Sequence, residues 1–418
     1  MKAAIVGATG FIGVPLCHSL KQDGWKITVL ARNIDSAEKA LGPGYNIIGW
    51  TSEMDIPEGT LEDIDIVINL AGESIGKGRW TKERKKQIFD SRINTTRKLI
   101  DVIKRLDKKP TTLINASAAG YYGPRDDGAL CEGEEAGDGF LAGVCRAWEE
   151  EALKAKRFRL RVVPIRIGVV LGNGGALKRM VIPFKLFAGG SIGSGKQWFS
   201  WIHRDDLIGI IKYVAGNQSI NSPVNATSPK PVTMKEFTKT LGQVLHRPSW
   251  LPIPSALLKM GLGEAADMVL KGQRVLPCKL IEAGYEFKFE SLADALTDAL
   301  GMQYTREIAR SATPNIVEIT TAQDKITKAK SDKKTRPSKS TSPNKENKGK
   351  SNKSNFNKAN KKHATKVAAK VKTNTEAKTA KADIPVSNLS KSSKSNKPNK
   401  PKKTGAKKTH GGKRPNPS

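Results

Sequence analysis

The sequence predicts an α/β fold: a Rossmann-type doubly wound parallel sheet, a smaller and mostly helical C-terminal lobe, and a disordered basic tail. Three observations predict it. β-branched apolar runs alternate with helical patterns through the first half of the chain, as in parallel sheets covered on both faces. A glycine-rich turn directly follows the first apolar run. The residues after 320 are rich in lysine and nearly free of aromatic residues.

The predicted elements run in the following order. Strands are expected at 2–6, 26–31, 46–49, 64–70, 111–117 and 160–166, with helices between them at 12–23, 81–106 and 138–156. From about residue 175 the alternation loosens, and helices are expected at 176–188, 204–215, 233–245 and 255–271. The predicted domains are a Rossmann domain at 1–225, a small lobe at 226–302 and the tail at 303–418.

The first turn carries the pattern of a dinucleotide site. It reads Gly7-Ala8-Thr9-Gly10-Phe11-Ile12-Gly13 between a predicted strand and a predicted helix. In this pattern the first glycine permits the tight turn, the second lets the backbone approach a pyrophosphate, and the third lets the helix lie close to the strand. The helix N-terminus then faces the phosphates with free N–H groups. The alternative is a glycine-rich surface loop, which the flanking strands disfavour.

The end of the second strand indicates which dinucleotide is bound. A site for NAD usually places Asp or Glu there, to bind the ribose 2′-hydroxyl. Here the strand ends Val29-Leu30-Ala31 and continues with Arg32, whose guanidinium could bind a 2′-phosphate at two points. The alternative is a surface arginine without a ligand. The sequence therefore favours NADP over NAD.

The basic tail accounts for most of the net charge of +32. Residues 321–418 contain 29 Lys and Arg against 5 Asp and Glu, with Phe356 as the only aromatic residue. Such a segment buries too little apolar surface to offset its ordering entropy, so we expect it to be disordered. Nucleic acid, ribosomes or an acidic membrane surface are possible partners, and a solubilising extension without a partner is the alternative.

The four cysteines, Cys17, Cys131, Cys145 and Cys278, show no metal-ligand or CxxC spacing. They are expected to be packing groups rather than disulfide partners or ligands, and no metal site is predicted. The sequence shows no signal peptide and no apolar run of about 20 residues that could span a membrane. A soluble protein in a reducing compartment, the cytoplasm, is predicted.

Longer motifs carry a resemblance to a known family. They include Asn-Leu-Ala-Gly-Glu at 69–73 and further runs at 78–81, 91–97, 117–123, 166–172, 190–197, 200–203 and 223–229. Over about 1–302 the chain resembles an atypical branch of the extended short-chain dehydrogenase/reductases, the NAD(P)-dependent epimerase/dehydratase-like proteins with a small C-terminal domain of unknown function. The resemblance implies an α/β cofactor domain and NADP as the cofactor.

The resemblance also implies further cofactor contacts. Leu70 and Ala71, with the adjoining Gly72, would line the cofactor from the fourth strand, and Gln87 and Arg92 would reach it from the following helix. Val170 lies at the carboxyl end of another strand, where ligands of such sheets bind. For Arg92 a salt bridge on the helix surface is the alternative.

The usual catalytic pair of this superfamily is missing from the sequence. The resemblance implies a Tyr-x-x-x-Lys pair, in which the lysine lowers the pKa of the tyrosine, and a Ser or Thr after the fifth strand. Ser117 fits the serine position, although a cap or turn serine is the alternative. Leu141 and Cys145 occupy the positions of the pair, and neither can do this chemistry.

Other side chains could take over the proton transfer. Tyr121 or Tyr122 could donate the proton, with Arg166 or Lys196 as the neighbouring charge, although both tyrosines could instead wall the pocket. His203 is a further candidate, with a structural helix contact as its alternative. Glu73 and Arg79 could hold a polar substrate.

Three functions remain open. The first is an NADP-dependent oxidoreductase or epimerase acting on a small polar carbonyl or hydroxyl compound. The second is a nucleotide-sugar epimerase in the narrow sense. The third is a non-catalytic NADP-binding sensor or scaffold whose tail binds polyanions. The sequence does not indicate the substrate or the oligomeric state.

Overall fold

The computed structural model describes residues 1–76, 78–125 and 127–302. The expectations for the tail at 303–418 lie outside the described residues. The strands in chain order are β1 (Lys2–Val6), β2 (Lys26–Ala31), β3 (Asn46–Gly49), β4 (Ile66–Asn69), β5 (Thr112–Ala118), β6 (Ala129–Leu130), β7 (Arg161–Ile167), β8 (Val169–Leu171), β9 (Trp198–Phe199), β10 (Trp201–His203), β11 (Val224–Ala226), β12 (Val232–Thr233) and β13 (Arg274–Val275).

The α-helices surround these strands. In chain order they are α1 (Gly13–Gln22), α2 (Ile34–Leu41), α3 (Lys82–Arg105), α4 (Phe140–Leu153), α5 (Gly175–Lys185), α6 (Arg204–Gly216), α7 (Met234–Leu245), α8 (Ser255–Leu262), α9 (Asp267–Leu270), α10 (Cys278–Glu282) and α11 (Leu292–Ala299). Short 3₁₀ helices follow β5 at Ala119–Tyr122, α4 at Lys154–Phe158 and α8 at Gly263–Ala266. Among the described helices, none is long and apolar enough to cross a membrane.

A seven-stranded sheet of strictly parallel pairs forms the centre of the molecule. Its order is β11-β7-β5-β4-β1-β2-β3. The order reverses between β1 and β4, which is the topological switch point of a doubly wound fold. The predicted Rossmann-type fold class is confirmed. Parallel strands end at the same edge, so the turns after β1, β2, β4 and β5 lie along one side of the molecule.

Both faces of this sheet are buried, which explains the β-branched runs. On β1, Ala3 and Ile5 belong to a core cluster with α1 and α6, while Ala4 and Val6 belong to a second cluster with α3 and α4. The period-two alternation therefore separates two cores instead of separating core from solvent.

A third core lies in the C-terminal half. It packs side chains of α5, α7 and α11, such as Phe184, Phe237 and Leu296, around the fully buried Trp201. Short strand pairs, β8 with β10, β9 with β12 and β6 with β13, connect this part to the rest of the described chain. The lobe is mostly helical, as predicted.

Three local predictions need revision. The helix expected at 255–271 is broken, because α8 ends at Leu262 and Gly263 adopts a positive φ of 60° before a 3₁₀ turn. The sequence reasoning missed α2, although the side chain of Asn33 caps it by accepting from Ser36 N at 2.7 Å. It also missed β11, the edge strand that completes the sheet.

The expectation that all four cysteines are packing groups is wrong. Cys131 and Cys278 form a disulfide across a sequence separation of 147 residues, with their Cα atoms 5.6 Å apart. The parallel pairing of β6 with β13 brings these segments together. The spacing of the cysteines along the sequence could therefore not predict the disulfide. Cys17 and Cys145 are free and buried, as expected. The cytoplasmic location stays a prediction.

Candidate functional site

The turn after β1 forms a cradle that only glycine fits at two positions. Gly7 has a φ of 84°, and a Cβ placed on it would lie 2.8 Å from the carbonyl carbon of Leu70. A Cβ on Gly13 would lie 2.3 Å from Gly7 O, because α1 starts directly against the strand. Gly10 N donates to Gly7 O at 3.1 Å and closes the turn. These are the glycine roles that a pyrophosphate site requires.

The N-terminus of α1 is open at this turn. Ile12 precedes the helix, and no described side chain caps it or places an acidic group in its first turn. Helix N-termini with free N–H groups and a positive dipole end bind anions. Thr9 and Gly10 are exposed beside it. The predicted residues of the first turn therefore lie together at the uncapped N-terminus of α1.

Phe11 links the cradle to a second glycine-rich loop. Cβ atoms placed on Gly172, Gly174 and Gly175 would each lie within about 3.1 Å of the Phe11 ring. These glycines follow β8, so the ring packs directly on their backbone between the first turn and the start of α5. Val170 of β8 is partly buried and packs against the same core cluster as Ile12 and Leu70.

Arg32 lies directly after β2, at the same edge of the sheet. Its side chain is exposed, and no hydrogen bond or ion pair joins it to any residue that the structure describes. The following Asn33 is occupied as the cap of α2. A guanidinium without a protein partner, at the end of the second strand, is available to a phosphate ligand.

Arg92 supports the loop after β4. Its Nη1 donates to Glu73 O at 3.1 Å and to Ile88 O at 2.9 Å. Its guanidinium packs against Gly72, where a Cβ would lie 2.9 Å away, and burial lowers its pKa. Gln87 is exposed and accepts from Arg84 Nη1 at 3.1 Å. Arg92 thus positions the backbone of the residues predicted to line the cofactor.

Two polar residues of the same loop, Glu73 and Arg79, make contacts of their own. The carboxylate of Glu73 accepts from Arg84 Nη2 at 3.1 Å. Arg79 reaches the C-terminal lobe, where its Nε donates to Gly261 O at 3.0 Å and its Nη2 donates to Met260 O. The loop therefore bridges β4 and the end of α8.

Ser117 is buried and belongs to a charged network. Its Oγ donates to Glu149 Oε1 at 2.6 Å. Arg166, opposite Ser117 in the β5–β7 register, donates to both carboxylate oxygens of Glu149. Ser117 is thus tied to a buried ion pair between α4 and β7.

Tyr122 extends this network into the C-terminal half. It is fully buried, and its hydroxyl accepts from Arg166 Nη1 at 2.9 Å and donates toward Asn225 Oδ1 at 2.7 Å. Burial raises the pKa of Tyr122, against the opposing effect of Arg166. Asn225 N in turn donates to Glu132 at 3.0 Å. The geometry matches a structural phenol more closely than an exchangeable proton donor.

Tyr121 differs from its neighbour in exposure. It is partly exposed on the 3₁₀ turn after β5, and the Arg166 guanidinium lies 3.5 Å from the centre of its ring. Its ring also packs edge-on against Tyr122. Tyr121 therefore lies between the buried ion pair and solvent.

Leu141 and Cys145 face the end of β5 from α4. A Cβ on Gly120 would lie 3.5 Å from Leu141 Cβ, and the Cys145 thiol interacts with Ser117 and the backbone of Ala118. Burial raises the pKa of Cys145 to about 11, so this thiol stays protonated at neutral pH. Lys196 lies elsewhere, exposed on the loop before β9.

His203 is placed away from this network. It is fully buried at the start of α6, where its Nδ1 accepts from Asp205 N at 3.2 Å and its Nε2 lies 3.2 Å from Asp298 Oδ2. His203 therefore makes the structural contact to the first turn of α6 that was the alternative to a catalytic role. Glu149, Glu132 and Asn225 were missed as site residues, and the signal for Glu149 and Asn225 was a polar side chain inside an apolar helical or strand pattern.

Comparison with known proteins settles the family. The model of the NAD dependent epimerase/dehydratase family matches residues 3–226, more than half of the chain. The chain belongs to this family. A domain of unknown function (DUF1731) matches residues 253–299 of this epimerase-family chain. The predicted resemblance, including the small C-terminal domain, is confirmed.

Individual relatives match more than two thirds of the chain. Epimerase family protein YfhF of Bacillus subtilis (strain 168) is 42% identical over 306 residues, covering 73% of this chain and 100% of the relative. The chloroplastic SDR39U1 homolog of Arabidopsis thaliana is 46% identical over 303 residues, covering 71% and 86%. The crystal structure of human SDR39U1 (isoform 2) with NADPH is 33% identical, with a TM-score of 0.64, and the match covers 72% of this chain and 99% of that one.

Proposed function

We propose that this epimerase-family chain binds NADP(H) along the carboxyl edge of the sheet. The observation that carries the proposal is the glycine cradle at Gly7 and Gly13 in front of the uncapped α1. The cradle has no room for side chains and presents N–H groups, so the residues present fit a pyrophosphate. The human relative solved with NADPH supports this assignment.

Arg32 supports the choice of NADP(H) over NAD(H). It is exposed and without a described protein partner at the position where a carboxylate would accept from a ribose 2′-hydroxyl. A guanidinium there would bind the 2′-phosphate that distinguishes NADP(H) from NAD(H), and it would not repel the parts that the two cofactors share. Leu70, Ala71 and Val170 would pack along the remainder of the cofactor.

The proposed reaction is hydride exchange with a small polar carbonyl or hydroxyl compound. NADPH supplies the hydride when bound. Tyr121 would supply the proton, because it combines partial exposure with a cation against its ring. Ser117 and Tyr122 would act by holding Glu149 and Arg166 in place beneath it. Leu141 would contribute an apolar surface to the wall of the pocket in which hydride and proton are exchanged.

Binding is tested by titrating the full chain with NADPH and with NADH and following cofactor fluorescence. We expect saturable NADPH binding, and Arg32→Ala should weaken it by about tenfold or more while leaving NADH unchanged. Arg157→Ala is the matched control, since Arg157 is exposed at the opposite edge of the sheet, before β7. Equal effects of the two variants would overturn the role of Arg32.

A second candidate function is an NADP(H)-binding protein without turnover. The apolar pair Leu141 and Cys145, in the positions of the superfamily's proton relay, favours it. Oxidation of NADPH by a panel of aldehydes and ketones separates the two functions. Turnover that falls about a hundredfold in Tyr121→Phe supports the enzyme. Tight NADPH binding without oxidation by any of the compounds supports the second function.

A further inference from the structure

Two segments of the C-terminal half, 182–187 and 250–262, expose large apolar side chains. Leu186 is 72% exposed, and Trp250 and Met260 are each 68% exposed. None of the residues of α8, all of which the structure describes, is buried, although most of them are apolar. The exposed apolar side chains of the two segments, called the apolar face below, are Ile182, Leu186, Phe187, Trp250, Leu251, Leu257, Met260 and Leu262. Scattered exposed apolar residues are ordinary, but a cluster of this size indicates an interaction site.

The segments that carry the apolar face are neighbours in the structure. Leu251 N donates to Gly189 O at 3.0 Å, and a bridge pairs Gly189 with Ser249. The Arg247 guanidinium lies 4.6 Å from the centre of the Phe187 ring. The end of α5 and the segment leading into α8 therefore form one continuous surface.

The same segments carry positive charge without negative charge. Residues 175–204 and 237–263 contain no Asp or Glu. Lys185, Arg247 and Lys259 are exposed among the apolar side chains. The nearest acidic side chain after α8, Glu264, is paired with Lys85. The face is thus both apolar and uniformly cationic.

This charge pattern limits what can cover the face. A second copy in a symmetric dimer would place cations opposite cations, because a two-fold interface uses the same patch on both chains. The lysine-rich segment after residue 320 has the same sign and is disfavoured for the same reason. An anionic lipid surface accepts the aromatic and aliphatic side chains at the headgroup level and pairs its phosphates with Lys and Arg.

We propose that the apolar face docks the protein on the surface of a bilayer containing anionic lipid. Phe187, Trp250 and Met260 enter the headgroup region, and Lys185, Arg247 and Lys259 bind the lipid phosphates. The interaction is peripheral, and it uses none of the residues assigned to the proposed cofactor site.

The test measures co-sedimentation of the full chain with vesicles of phosphatidylcholine, with and without phosphatidylserine. Measurements use about 0.15 M NaCl, and because every variant keeps the same tail, a difference in affinity between variants reports on the apolar face and not on the tail. The triple variant Phe187→Ser, Trp250→Ser, Met260→Ser should lose at least about tenfold in affinity for the anionic vesicles. The matched control Ile34→Ser, Met54→Ser, Phe89→Ser removes exposed apolar side chains elsewhere and should bind normally.

A second readout follows Trp250 itself. Anionic vesicles should shift the tryptophan emission of the wild-type chain to the blue, and Trp250→Phe should abolish that shift while retaining binding. Three results would overturn the proposal: equal affinity of both triple variants, equal binding to vesicles without phosphatidylserine, or a dimer in light scattering that the Phe187, Trp250 and Met260 substitutions dissociate. The last result would assign the face to a second copy.

Discussion

Arg166 donates to both carboxylate oxygens of Glu149 at 2.9 Å, where the side chains are 4% and 5% exposed. This two-point ion pair joins β7 to α4 beneath the candidate site. Glu149 also accepts from Ser117, and Arg166 also donates to Tyr122. Removing one charge leaves the other buried without compensation, which is strongly destabilising.

Glu149→Gln should therefore lower the free energy of unfolding by about 3 kcal/mol or more. Urea denaturation of the full chain measures it. Arg97→Ala is the control. Arg97 of α3 pairs with Glu151, which lies on α4 as Glu149 does, but the Arg97 side chain is 52% exposed. Its cost should stay below about 1 kcal/mol. Similar losses for both variants would contradict the prediction.

Gly13→Ala should disrupt the turn after β1. The added methyl group would lie 2.3 Å from Gly7 O and 2.6 Å from Ala8 Cα, both of them backbone atoms. We expect lower stability and loss of NADPH binding, measured by denaturation and fluorescence titration. Gly143→Ala in α4 is the control, since no described atom outside its own stretch of helix lies within 4 Å of its Cβ position. It should stabilise the protein by up to about 1 kcal/mol, because alanine favours helix.

His203 should make the protein less stable in mild acid. Burial lowers its pKa from the ordinary 6.5, and Asp205 and Asp298 only partly oppose this, with Arg204 and Lys288 acting in the same direction as burial. The unfolded chain then binds the proton more readily than the folded one. The contribution to stability is present above about pH 6.5 and is lost as the pH falls toward the folded-state pKa.

The measurement compares unfolding free energies at about pH 7.5 and pH 5.5. His203→Asn keeps a side chain that can cap α6 and should reduce the loss between the two values. His246→Asn should leave it unchanged, because His246 is exposed at a φ of 51°, which Asn tolerates. An identical pH response in all three proteins would refute the assignment.

The Cys131–Cys278 disulfide should contribute about 3–5 kcal/mol, because it closes a long loop in the unfolded chain. Replacing both cysteines by Ser should lower the stability by this amount. A thiol reductant should do the same to the wild-type chain and should not affect the double variant. Insensitivity of the wild-type chain to the reductant would contradict the expectation.

The parts of the fold that rest on local pattern were predictable. A pattern of a few residues around Gly7 to Gly13 predicts the strand, the glycine turn and the helix. The position of Arg32 at the end of β2 is equally visible in the local sequence. The break near Gly263 was also visible, since Gly261 and Gly263 interrupt the pattern expected to form one helix. The short helix α2 was predictable as well, because Asn33 is a favourable N-cap residue for a helix that starts at Ile34.

The buried network could not be predicted because its partners are far apart in sequence. Ser117 meets Glu149 across 32 positions, and Tyr122 meets Asn225 across 103. Such pairs depend on the strand order, in which β7 lies beside β5 and β11 lies beside β7. The same holds for Cys131 and Cys278. Sequence alone could therefore identify Ser117 and the two tyrosines as candidates without showing that Ser117 and Tyr122 are enclosed.

The pairing of β6 with β13 has a consequence for how this protein can be dissected. One strand of the pair lies inside the stretch matched by the family model, and the other lies inside the stretch matched by the domain of unknown function. A fragment ending at 226 would lose Val275 and Leu276 from beside Leu130, and Lys279 from beside Glu132. A 1–226 fragment joined to an unrelated C-terminal segment would therefore leave β6 without its partner strand, so the two matched stretches form one structural unit.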